Sequence, residues 1–134
     1  YGTVTGVQTC ALPIYSGAPA AQLSALEEQG HSLFLDHCAL CHGDDADGRG
    51  ALPGMMTPAA DLTRIAARRG GDFPSGAVAR FIDGRMPVEA HRSPEMPVWG
   101  RVLSLEFSDP EMRDEINRGK ISALVFYLRS IQVE

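Results

Sequence analysis

The run Cys38-Ala39-Leu40-Cys41-His42 constrains this chain more than any other stretch. Two thiols three positions apart, with a histidine directly after the second, have the spacing for covalent attachment of a c-type haem. In that reading Cys38 and Cys41 add to the two vinyl groups of one porphyrin, and His42 gives an imidazole nitrogen to its iron. Two other chemistries use paired cysteines, a zinc site and a redox disulfide. A zinc site needs a second ligand pair, yet downstream of His42 there is no cysteine and His91 is the single histidine. A thioredoxin-like pair belongs to a βαβ pattern, which the sequence lacks. Only the haem reading requires the adjacent histidine.

A length of 134 residues predicts a single domain. The large aromatics are Trp99, three tyrosines and five phenylalanines, a thin supply of apolar bulk that a buried porphyrin would supplement. The formal net charge of −5 argues against nucleic acid as a partner, because phosphate binding needs a basic face. No apolar run approaches membrane-spanning length. Val4 to Ile14 reads as the in-frame translation of a sequencing-library adapter, not as a secretory leader. Residues 1–20 are therefore expected to be an artefactual segment and linker, which takes Cys10 out of the cysteine count. Residues 21–134 form the expected domain. A true N-terminus bearing an export signal or membrane anchor is expected to have been lost.

The patterning beyond that point is helical. Leu23, Leu26, Leu33 and Phe34 recur near helical spacing and predict a helix over about residues 21–38 that delivers Cys38. Gly30 interrupts it at a cost of about 1 kcal/mol relative to alanine, which a closely approaching second helix would explain. Gly43 to Gly50 reads as a solvated turn; a calcium loop through Asp44, Asp45 and Asp47 lacks its closing glutamate. Thr57-Pro58 predicts a capped helix start, with Leu62, Ile65 and Ala66 on its apolar face and Gly70-Gly71 at its end. Ser75 predicts the cap of a short helix carrying Val78, Phe81 and Ile82 and stopping at Gly84. Pro87, Pro94 and Pro97 predict irregular chain over 85–100. Asp109-Pro110 opens the last helix, with Ile121, Leu124, Leu128 and Ile131 as its stripe and Gly119 as a possible kink. No alternating strand pattern appears, so the fold class is all-α.

A haem iron bound by His42 has a second axial position. Met55, Met56, Met86, Met96 and Met112 compete for it, with His91 as a further rival. Met55 and Met56 follow the motif too closely to cross to the other face of a porphyrin, and Met112 lies in an acidic helix start. Met86 and Met96 both precede a proline in the irregular stretch. Met96 is favoured because Pro94, Pro97 and Trp99 bracket it in a rigid loop before the last helix. Arg85, Arg92 and Arg101 around that loop read either as partners of haem propionates or an acidic protein, or as a solvated basic patch.

Together these residues resemble the class I c-type cytochromes of the bacterial monohaem kind, over most of residues 25–132. Gly30 and Phe34 ahead of the motif are similar to the family's first helix, and Leu124 to Arg129 to its terminal helix. Glu95-Met96-Pro97-Val98-Trp99-Gly100 resembles its methionine loop. The resemblance implies a cytochrome c fold of short helices wrapped around one haem c. It implies that the terminal helices cross closely at Gly30 with aromatics at the crossing. It implies haem contacts from Cys38, Cys41, His42, Pro53, Met96 and Trp99, with His42 and Met96 on the iron. The neighbourhood of Pro53 would supply a backbone carbonyl to the second nitrogen of His42.

Saturated iron predicts an electron carrier and not an enzyme, exchanging electrons transiently with redox protein donors and acceptors. Two alternatives are a cytochrome subunit or domain of a respiratory oxidase or periplasmic dehydrogenase, and a haem enzyme or gas sensor with a labile sixth ligand. Because such haems are attached outside the bacterial cytoplasm, the resemblance implies the periplasm.

Overall fold

A computed structural model describes Gly2 and residues 18–85 and 96–134, with side chains of the first helix described from Ala25 onward. Five α-helices follow in order: α1 (Ala18–His37), α2 (Ala39–His42), α3 (Ser75–Asp83), α4 (Trp99–Val102) and α5 (Pro110–Ser130). Two single 3₁₀ turns, Leu62–Arg64 and Ala67–Arg69, lie between α2 and α3. The described residues contain no strand and are all-α in class.

The long helices α1 and α5 pack against each other and set the frame. Their crossing is possible because of Gly30. A Cβ at that position would collide with the Ala123 carbonyl and stand 2.8 Å from Cβ of Tyr127. The local cost of glycine in a helix is thus offset by close approach of two backbones. The rings of Phe34 and Tyr127 meet at the same place, 5.4 Å apart, and His31 stacks on Tyr127 at 4.8 Å. Phe34, Leu103 and Leu124 are the large apolar side chains most fully withdrawn from water, and Ile121 and Leu128 extend the stripe. Burying a side chain of that size contributes about 1.5–3 kcal/mol.

Asp109 caps α5 as its sequence suggests: the carboxylate accepts from the backbone N–H of Glu111 (2.9 Å) and Met112 (3.0 Å), and Pro110 occupies the first turn. Such a cap contributes about 0.5–2 kcal/mol. Gly119 neither kinks nor splits α5, which runs unbroken to Ser130. Gly84 ends α3 in the left-handed conformation, φ 66°, its N–H donating to the Arg80 carbonyl.

Three local expectations are corrected. Thr57-Pro58 starts no helix. Asp61 takes the capping role instead, its carboxylate accepting from the Thr63 N–H at 2.9 Å and from the Thr63 hydroxyl at 2.6 Å, so only a 3₁₀ turn begins there. Ser75 is the first residue of α3, with Pro74 in the cap position and no side-chain cap bond. Trp99 lies at the start of α4, so the stretch before Gly100 is not irregular to its end. The rest of that stretch, residues 86–95 with Met86, Pro87, His91, Arg92 and Pro94, lies outside the described residues.

Candidate functional site

The motif sits at the end of α1. The Cys38 N–H still donates to the Phe34 carbonyl at 2.8 Å, Cys38 is the cap residue between the two helices (φ −114°, ψ −34°), and α2 then turns through Ala39–His42. The following loop folds back on this turn. Gly48 donates to the His42 carbonyl at 2.7 Å and Leu52 to the Leu40 carbonyl at 3.0 Å. Gly50 is required for that return, because a Cβ there would collide with the carbonyls of Leu40 and Cys41. Arg49 pairs with Asp47 within the loop, which accords with a solvated turn.

A cavity of about 760 Å³ opens beside the motif. Cys38, Cys41 and His42 line it from one segment, and Met96, Pro97 and Trp99 from another. Phe34, Val78, Ile82, Leu124 and Leu128 supply apolar walls from α1, α3 and α5. The volume lies within the ~300–1,000 Å³ of cavities that hold small molecules and cofactors, and the walls are predominantly apolar, as such sites are.

The electrostatics distinguish the motif residues. Both thiols are free and half-buried. Burial, with Cys41 adding to it, pushes the Cys38 thiol up to about 12, so it stays protonated at neutral pH. A reactive redox cysteine sits in the opposite environment, one that favours thiolate. Nor do side chains converge as on a zinc ion: among the described residues no group of three or more His, Cys, Asp and Glu could hold a metal. His42 Nδ1 lies 2.9 Å from the Ala60 carbonyl oxygen. A carbonyl only accepts, so Nδ1 carries the hydrogen of this bond, and Nε2 is the ring nitrogen left for a metal.

That bond corrects one expectation. The carbonyl partner of His42 belongs to Ala60 and not to the neighbourhood of Pro53. Pro53 is exposed and does not line the cavity, although its neighbours Leu52 and Met55 do. Thr57–Ala60 reach the cavity as well, and the turn at Asp61 follows directly on Ala60, the partner of His42. Of the five methionines, Met55 and Met96 line the cavity, and Met56 and Met112 are exposed. Met55 reaches the space despite its closeness to the motif.

The arginines also sort differently from the sequence expectation. Arg85 is bound to Asp83 (2.7 and 2.9 Å) and to Asp114 (2.5 Å), and its hydrogen bond holds Asp83 below the usual carboxylate range. Arg101 is exposed. Among the described residues, the arginines that line the cavity are Arg68 and Arg69, which patterning did not single out. Arg68 donates to the Asp61 carbonyl at 2.8 Å. Trp99 packs at a tilt against His37, ring centres 5.5 Å apart, and so ties the methionine segment to the end of α1.

No protein-family model, curated protein or solved structure matches this chain.

Proposed function

We propose that this chain is a monohaem electron-transfer protein of the class I c-type cytochrome kind, with a cytochrome c fold and one haem c. The single observation that carries the reading is the shared cavity. Cys38, Cys41 and His42 come from the N-terminal half and Met96 from the C-terminal half, and all four line one apolar space. The donor set fits the group. Two free thiols suit thioether formation, and an imidazole whose Nδ1 is engaged by the Ala60 carbonyl leaves Nε2 for iron. A soft thioether suits the second axial position.

Bound haem would supply Fe(II)/Fe(III) chemistry, passing one electron at a time. The protein's own residues would do the rest. Cys38 and Cys41 tether the porphyrin, and the Ala60 carbonyl fixes the ring of His42 through Nδ1. Met96 would be the second protein ligand of the iron, which would leave substrate no place to coordinate and make the chain a carrier and not an enzyme. Methionine ligation and the apolar walls of α1, α3 and α5 raise the reduction potential. Arg68 and Arg69, as cations in the lining, are the partners that opposite charge selects for the haem carboxylates. Donors and acceptors are redox proteins met briefly and steered by charge. Covalent attachment outside the cytoplasm makes the periplasm its compartment. No described helix is long and apolar enough to cross a membrane.

The test is production of the chain alongside a haem-attachment system, followed by denaturation and intact mass measurement. One haem retained covalently is expected, with a low-spin six-coordinate spectrum in the reduced protein and slow carbon monoxide binding. A chain that emerges without haem overturns the proposal; rapid carbon monoxide binding overturns the Met96 ligand.

A further inference from the structure

We infer that Asn117 is a positioning residue for Met96, a latch that acts through the Gly100 carbonyl, with Arg85 as a second anchor. The inference rests on the reading of Met96 as an iron ligand. Met96 stands just ahead of α4, a helix of four residues. One helical turn does not hold itself together in water, so its stiffness must be supplied from outside. Its Trp99 carbonyl accepts from the Leu103 N–H at 3.0 Å, but a helix so short leaves the Gly100 carbonyl to find a partner outside it.

Asn117, in the middle of α5, meets both needs. It is 2% exposed, and its Nδ2 donates to the Gly100 carbonyl at 2.7 Å. Since a carbonyl only accepts, the amide orientation is settled, and Oδ1 is left buried without a hydrogen-bond partner in the protein. A leucine would fill a similar volume and bury no unpartnered oxygen. Packing alone therefore gives no reason for an amide here, whereas a grip on Gly100 does.

The other side of α4 is held as well. A Cβ at Gly100 would collide with the Asp83 carboxylate and come within 2.7 Å of Arg85 Nε, so Gly100 is pressed against this ion pair. Arg85 joins Asp83, at the end of α3, to Asp114 on α5. Lys120, also on α5, donates to the Leu103 carbonyl at 2.5 Å and meets Glu106 at 2.9 Å. The backbone following Met96 is thus clamped between α3 and α5. The freedom of the methionine sulfur to leave iron is then set by that clamp.

The test uses the haem-bearing chain with Asn117→Leu, Asn117→Ala and Arg85→Gln. Three quantities are read: imidazole affinity of the ferric protein, the methionine–iron charge-transfer band, and the urea midpoint. Asn117→Leu is expected to keep the parental urea midpoint while imidazole binds at least tenfold more tightly and the band weakens. Arg85→Gln is expected to move the same readouts by a smaller factor. In a Met96→Leu background, Asn117→Leu should add nothing further, because the ligand it positions is gone. Parental imidazole affinity in Asn117→Leu, or an equal increase in the Met96→Leu background, overturns the latch. If Asn117→Leu fails to fold, Arg85→Gln decides by the same readouts: an unchanged band and affinity overturn it. A parent chain that carries no haem overturns the functional reading itself and is recognised before any variant is made.

Discussion

Two regions share several side chains yet are built on opposite principles. At the crossing of α1 and α5, backbones approach so closely that Gly30 has no room for a methyl group against Ala123. One helical turn further along α1, Phe34 is fully buried and also forms a wall of the 760 Å³ cavity. Phe34, Leu124 and Leu128 thus belong to a close-packed core on one side and to a recess on the other. The crossing specifies the fold by excluding everything but two helices. The cavity specifies function through a few polar and sulfur atoms in an apolar surround. Substitution should therefore separate them: small changes ruin the crossing, whereas the cavity tolerates change in its walls but not in its donors.

The largest effect is expected at the donors. In Cys38→Ser/Cys41→Ser the chain should still be helical by circular dichroism but retain no haem after denaturation. Covalent retention in that variant would break the comparison. Next comes the crossing. Gly30→Val should cost more than about 4 kcal/mol in urea unfolding, because backbone and not a flexible side chain stands in the way. Leu124→Ala, in both regions, should cost about 3 kcal/mol. Ile82→Val, in the cavity wall, should cost about 0.5–1.5 kcal/mol and leave haem attachment intact. The smallest change reverses sign. Gly119→Ala on α5 meets nothing within 4 Å and should stabilise the chain by about 0.5–1 kcal/mol. If Gly30→Ala were equally benign, the close crossing would not be what Gly30 serves.

Local signals were readable where cause and effect lie within one turn of chain. The Asp109-Pro110 cap, the stop at Gly84 and the apolar stripe of α5 all stand as their residues suggest. Legibility failed where two local signals competed: Thr57-Pro58 and Asp61 both resemble helix starts, and the Thr63 hydroxyl and N–H decide for Asp61. It failed again where a partner lies far along the chain. Nothing near Arg85 reveals that Asp114 will hold it away from the cavity, and nothing near His42 reveals Ala60 as its acceptor. Arg68 and Arg69 sit among alanines and glycines in sequence, and only the fold brings them to the cavity. Gly30 was the informative exception, since an unfavourable local choice pointed outward to a distant neighbour.

The turn that carries Ala60 past His42 is fastened by the residues that follow α5. Gln132 accepts from the Ala66 N–H at 2.9 Å and donates to the Leu62 and Leu128 carbonyls, and Val133 donates to the Thr63 carbonyl at 2.9 Å. On a ribosome, the cysteines and His42 emerge long before Gln132 does, and closing so long a loop is entropically slow. The imidazole therefore exists first as a freely rotating ring and is pinned against the Ala60 carbonyl only after the segment around Gln132 has been made. Whatever engages the two thiols early meets a motif whose histidine is still unpinned.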